Sequence, residues 1–119
     1  MTDDERYMRQ ALDQAHRAAE MGEVPVGAVI TAGGRTIARA HNLCERLNDF
    51  TAHAEMQAFT SASEYLGGKF LDQCTLYVTL EPCQMCAGAS YWTQIDQIIF
   101  GAFDPQRGFQ HYKTQLFQR

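Results

Sequence analysis

His53 and Glu55 are separated by one residue, and Cys83 and Cys86 stand three apart directly behind Pro82. One imidazole and two thiols are three good ligands for zinc, and a neutral imidazole with two thiolates disfavours hard ions such as magnesium. Structural zinc normally takes four protein ligands. This set stops at three and leaves the fourth position to water, which is the catalytic pattern. Two thiolates cancel the charge of the ion, so a neighbouring carboxylate could manage the proton of an attacking water. Glu55 is the carboxylate at hand, although an acidic residue in a first helical turn is often just solvated. Two residues along an ideal helix turn through roughly 200°, so periodicity alone does not bring Glu55 beside His53. The two cysteines share one helix face. Their competing readings are a buried pair or a redox C-x-x-C, and the latter normally follows the first strand of a thioredoxin-like unit without a His-x-Glu partner.

The elements that must position these residues follow from the pattern. Asp3 to Met21 reads as a helix, with Met8, Ala11, Leu12, Ala15, Ala18 and Ala19 at helical spacing and Gly22 as the stop. Val24 to Thr31 reads as a buried strand, Gly33-Gly34 as a hairpin turn and Thr36 to His41 as the returning strand. Asn42 to Phe50 is a loop. Thr51 is the expected cap of a helix from Ala52 to about Leu66, closed by Gly67-Gly68. Cys74 to Leu80 is a strand, Pro82 opens a helix to about Trp92, and Ile98 to Phe100 is a short last strand. The order α-β-β-α-β-α-β implies a mixed α/β sheet with helices on its faces. Both halves of the ligand set then fall at strand-to-helix junctions, where the positive helix N-terminus favours thiolates.

Bulk properties narrow the class. The 119 residues suit one domain spanning 1–119, and 45% hydrophobic residues are enough for one core. No apolar run approaches the ~20 residues of a membrane span, and the acidic start Met1-Thr2-Asp3-Asp4-Glu5 is unlike a signal peptide. A cytoplasmic, reducing location is expected, so the four cysteines are ligands or buried thiols. Cys74 reads as a small buried strand residue, and Cys44 as a loop thiol outside the ligand set; the alternative for Cys44, a spare fourth ligand, would close the site and abolish catalysis. The net charge of −4 is not that of a general nucleic-acid binder. Lys69, Arg107, Lys113 and Arg119 could form a local basic patch or be scattered solvated charges.

With His53-Ala54-Glu55 and Pro82-Cys83-Gln84-Met85-Cys86 in hand, the chain resembles the cytidine/deoxycytidylate deaminase superfamily. Within it, the bacterial tRNA-specific adenosine deaminases are the most similar branch. The resemblance is carried by Gly22-Glu23-Val24-Pro25-Val26-Gly27-Ala28-Val29, Thr51-Ala52-His53-Ala54-Glu55-Met56 and Leu76-Tyr77-Val78-Thr79-Leu80-Glu81-Pro82-Cys83. Met85-Cys86-Ala87-Gly88-Ala89 and Phe100-Gly101-Ala102 complete it. It implies a cytidine-deaminase-like fold with helices on both sheet faces, one Zn2+ per chain on His53, Cys83 and Cys86, and Glu55 as catalytic proton shuttle. It also implies substrate contacts at Asn42, Val26 and Asp104. A loop Asn serving a turn is the plain alternative for Asn42, and a turn start for Asp104-Pro105. The resemblance also implies a further C-terminal strand and helix; with the sequence ending at Gln115-Leu116-Phe117-Gln118-Arg119 these are expected to be absent, either by truncation or in a shorter member. Phe109, His111 and Tyr112 could stack on splayed bases, or pack on the sheet edge or on another subunit. The resemblance implies a homodimer, and Met85, Tyr91 and Trp92 on one helix are candidate interface residues, with core packing as the alternative.

Three functions are therefore in play. The first is zinc-dependent hydrolytic deamination of adenosine to inosine at the wobble position of a tRNA anticodon loop. The second is the same chemistry on a free base, nucleoside or nucleotide, namely guanine, cytosine, cytidine or deoxycytidylate. The third is a non-catalytic, zinc-stabilised scaffold, against which an open coordination position and an intact Glu55 argue.

Overall fold

The computed structural model describes residues 1–109, with elements in the order α1 (Asp3–Glu20), β1 (Gly27–Ala32), β2 (Arg35–His41), α2 (Cys44–Leu47), α3 (Ala54–Leu66), β3 (Cys74–Leu80), α4 (Gln84–Thr93) and β4 (Gln97–Ala102). The sheet order is β2-β1-β3-β4. The β1–β2 and β1–β3 pairs are antiparallel, and β3–β4 is parallel. This is the expected mixed sheet. Expectations for the C-terminal strand and helix, and for His111, Tyr112, Lys113 and Arg119, lie outside the described residues.

Strand alternation separates two apolar layers. Ala28, Ile30, Leu76 and Val78 pack on one face with Ala54, Ala58, Phe59 and Ala62 of α3. Val29 and Tyr77 face the other way, toward Tyr7 of α1. Helices therefore cover both faces, as the family resemblance implies. Among the described residues no helix is long and apolar enough to cross a membrane.

α1 starts at a capping box, in which the Thr2 hydroxyl accepts the Glu5 N–H at 3.1 Å. Its buried stripe is Tyr7, Ala11, Ala15 and Ala18, so Leu12 and Ala19 of the expected stripe point outward. The small side chains have a partner in Gly27. A Cβ there would strike Ala11 O and Ala15 N and lie 2.8 Å from Gln14 Cβ. Gly27→Val should cost at least ~3 kcal/mol by overpacking the α1–β1 contact, to be read in urea unfolding as a lower midpoint with unchanged slope. An unchanged midpoint would contradict this packing.

Several boundaries move from the expected ones, and each shift bears on the ligand set. Val24 to Val26 precede β1, which begins at Gly27. The loop after β2 contains the single turn α2, whose N-terminal N–H groups on Glu45 and Arg46 donate to the buried Glu23 carboxylate at 2.9 and 2.8 Å. Thr51 does not cap α3. It bonds instead to Asp49, and His53 is the N-cap. Pro82 likewise stands one residue before Cys83, the N-cap of α4, and is not the first helical residue.

Candidate metal centre and proton-transfer site

His53 and Cys83 hold extended backbone conformations (φ −69°, ψ 156° and φ −73°, ψ 174°), while their carbonyls accept the first intrahelical bonds from Gln57 and Ala87. Neither is a favoured capping type. At His53 the side chain makes no capping bond and turns away from its own helix. The geometric obstacle for Glu55 disappears for the same reason. The separation of roughly 200° applies to two helical residues, and His53 is not one. The capping function at α3 comes instead from Asn42, whose Oδ1 accepts the Ala54 N–H at 2.6 Å.

The donor atoms of His53, Cys83 and Cys86 lie within 4.8 Å of one another. His53 Nδ1 is 3.6 Å from Cys83 Sγ and 3.5 Å from Cys86 Sγ. Tetrahedral zinc, with its usual bond lengths to sulfur and nitrogen, requires about 3.6 Å between those atoms. The donor set therefore fits zinc in both chemistry and spacing. Cys44 is outside it, with its thiol 3.8 Å from Phe50 O, and Cys74 is buried at the start of β3.

The protein groups already favour charge separation at this point. The Cys86 thiol hydrogen bond brings Cys83 down to about 4, against the opposing effect of burial and helped by His53. Cys86 is pushed up, first by that same bond and then by burial. His53 is raised by its bond to Cys83. Zinc, when bound, would take both cysteines as thiolates, so its affinity would depend on pH. Glu55, only 4% exposed, is raised mainly by burial, and its carboxyl group hydrogen-bonds Cys86. A buried carboxyl held beside the ligand set, with its acidity weakened, is equipped to take up and return a proton.

The other expected site residues divide. Asn42 is buried beside the start of α3 and serves a local backbone role through Oδ1. Asn42→Ala should cost about 1–2 kcal/mol, as loss of a cap, and show it as a lower melting temperature. No change would mean that Ala54 N–H finds another acceptor. Val26 joins the core on the α3 side. Asp104 follows β4, and its Oδ1 accepts the N–H groups of Gln106 and Arg107, which is the turn alternative in geometric form. Phe109 lines a groove of about 230 Å³ with Ile95, Ile98 and Phe100, beside the sheet edge. Lys69 lies 5.7 Å over the Phe70 ring, and Arg107 is exposed on the loop after β4. Trp92 is not core. It is 78% exposed and meets Tyr91 edge-on.

Two buried glutamates escaped the sequence reading. Glu23 holds α2, and Glu81 accepts the Asp104 N–H at 3.0 Å. The available signal was weak. Each is an acid beside a buried apolar segment, but its partners are backbone groups 22 or 23 positions away.

Residues 1–102 match the family model for the cytidine and deoxycytidylate deaminase zinc-binding region. A tRNA-specific adenosine deaminase of Bacillus subtilis is 52% identical over 118 residues, covering 99% of this chain and 73% of the relative. One from Agrobacterium fabrum is 46% identical over 119 residues, covering all of this chain and 78% of the relative. Among solved structures, one from a study of A-to-I editing by tRNA:A34 deaminases at the transfer RNA wobble position superposes with a TM-score of 0.88. It is 46% identical, over 90% of this chain and 82% of that one. A guanine deaminase from Bacillus subtilis gives a TM-score of 0.83 at 35% identity, over 92% of this chain and 74% of that one.

Proposed function

The chain belongs to the cytidine and deoxycytidylate deaminase family, and from that premise we propose that it converts adenosine to inosine at the wobble position of a tRNA anticodon. The observation that carries the chemistry is the buried Glu55 carboxyl on Cys86, beside three zinc donors at zinc spacing. The substrate assignment is supported by the similarity to the tRNA-acting deaminases, which exceeds that to the guanine deaminase.

In this mechanism His53, Cys83 and Cys86 hold the metal. When bound, zinc supplies Lewis acidity that lowers the pKa of water to near neutrality. Glu55 takes a proton from the attacking water as its oxygen bonds to the ring carbon that bears the amino group. It passes that proton to the adjacent ring nitrogen. Glu55 then takes the second proton, from the hydroxyl now on that carbon, and delivers it to the amine; the carbon–oxygen bond becomes a carbonyl as the carbon–nitrogen bond breaks and ammonia leaves. Asn42, Val26 and Asp104 border the substrate. An anticodon loop offers an already unstacked base, which suits a pocket that must take the base out of the stack.

The protein works as one zinc-dependent deaminase domain over 1–119, in the cytoplasm, as a homodimer. Phe50, 93% exposed, and Trp92 are the side chains best suited to a subunit interface. The second reading, a free-base deaminase, is favoured by the guanine deaminase match and by the acidic net charge.

Salt separates the two. An anticodon stem-loop carrying adenosine at the wobble position is to be assayed beside guanine, cytosine and cytidine at about 50 and 200 mM salt. Turnover of the RNA, with KM rising steeply with salt, supports the tRNA assignment. Turnover of a free base alone, insensitive to salt, replaces it with the second reading.

A further inference from the structure

Of the three buried glutamates, Glu55 has a place in the chemistry and Glu23 holds α2. The third, Glu81, sits where β3 ends, two residues before the ligand Cys83. Its backbone N–H donates to Ala102 O at 2.8 Å, and its Oε1 accepts the Asp104 N–H at 3.0 Å. Further along the same loop, Gly108 pairs with Cys83 in an isolated antiparallel bridge, and the Phe109 N–H donates to Pro82 O at 2.9 Å. Gly108 leaves no space between them. A Cβ there would overlap the Glu81 carboxylate and come within 2.7 Å of Asp104 O. The tripeptide Glu81-Pro82-Cys83 is thus stitched to both ends of the 104–109 loop, with a buried carboxylate as the central peg.

We propose that Glu81 is a positioning residue that locks the Asp104 loop to the strand end carrying Cys83, so that metal ligand and loop are held in one fixed relation. A buried carboxylate holds backbone N–H groups through charge-assisted bonds, which are stronger than neutral ones. The clamp itself stands on the contacts above. Its consequence for substrate rests on the proposed deaminase function, in which the Asp104 loop borders the RNA.

The test compares the zinc-loaded wild-type chain with Glu81→Ala, Glu81→Gln and Gly108→Ala. It reads zinc content, amide hydrogen exchange at Asp104 and Phe109, and kcat and KM on the adenosine stem-loop. In Glu81→Ala, zinc content should hold and the two amides should exchange at least about tenfold faster. KM should rise about tenfold while kcat stays within about threefold. Glu81→Gln keeps an acceptor for the Asp104 N–H and should retain most of the protection and KM. Gly108→Ala strikes the same contact from the loop side and should repeat the alanine signature, which keeps the test decisive should Glu81→Ala fail to fold. Unchanged exchange in both Glu81→Ala and Gly108→Ala would overturn the clamp. Loss of zinc and kcat with KM unmoved would overturn it too, and assign Glu81 to the support of Cys83 alone. If the wild-type chain is inactive on the RNA, the functional proposal falls, while the exchange data still decide the clamp.

Discussion

Glu55→Gln is expected to bind zinc like the wild-type chain and to deaminate at least ~10³-fold more slowly, as loss of a general acid–base group dictates. Glutamine fills the same space at a site only 4% exposed, so packing around α3 is kept. It cannot ionise, so the attacking water keeps its proton and the ring nitrogen receives none. Burial is the main reason the carboxyl of Glu55 is a weaker acid than usual, and an amide feels no such penalty. The variant should therefore be at least as stable as the wild type. Metal analysis, a thermal melt and single-turnover kinetics on one preparation check all three statements. A rate within tenfold of wild type removes Glu55 from the mechanism, and loss of zinc with the rate makes it a ligand-supporting residue.

Removing zinc is expected to abolish turnover and to destabilise the fold. His53 and Cys83 are the N-caps of α3 and α4, and Cys86 lies in the first turn of α4, so an ion held by all three would tie two helix starts together. With free zinc a thousandfold above its dissociation constant, binding to the native state contributes about 4 kcal/mol. For a chain of this size a chelator should lower the melting temperature by roughly 15 °C, and zinc should restore it. Cys86→Ala should behave like the chelated protein but without restoration, since it removes one donor and leaves a void at a fully buried position. A melting temperature that does not respond to the chelator would contradict the bridging role of the ion.

The ligand set was legible in the sequence because metal chemistry restricts residue type and spacing. His53, Cys83 and Cys86 converge as their pattern implies. The mixed sheet followed from the order of elements and helix cover of both faces from the family resemblance, while the strand order β2-β1-β3-β4 was not legible, because it depends on β3 pairing with β1 across the sequence. What was not legible turns on three-dimensional context. Thr51 is a better intrinsic cap than His53, but Asp49 takes its hydroxyl and Asn42 satisfies the Ala54 N–H that a cap would serve. The stripe of α1 is turned toward Tyr7 because Gly27 admits the Ala11–Ala15 backbone. Glu81 was invisible because its recognised partner is a backbone N–H 23 positions away, which has no residue-type signature.

The most direct measurement uses the zinc-loaded chain, its Glu55→Gln variant and a stem-loop with one adenosine at the wobble position, analysed by mass spectrometry of the digested nucleosides. Inosine at that position with the wild-type chain, and none with the variant, is the predicted result. Unchanged adenosine with both, under conditions in which zinc is bound, would contradict the assignment of this site to tRNA deamination.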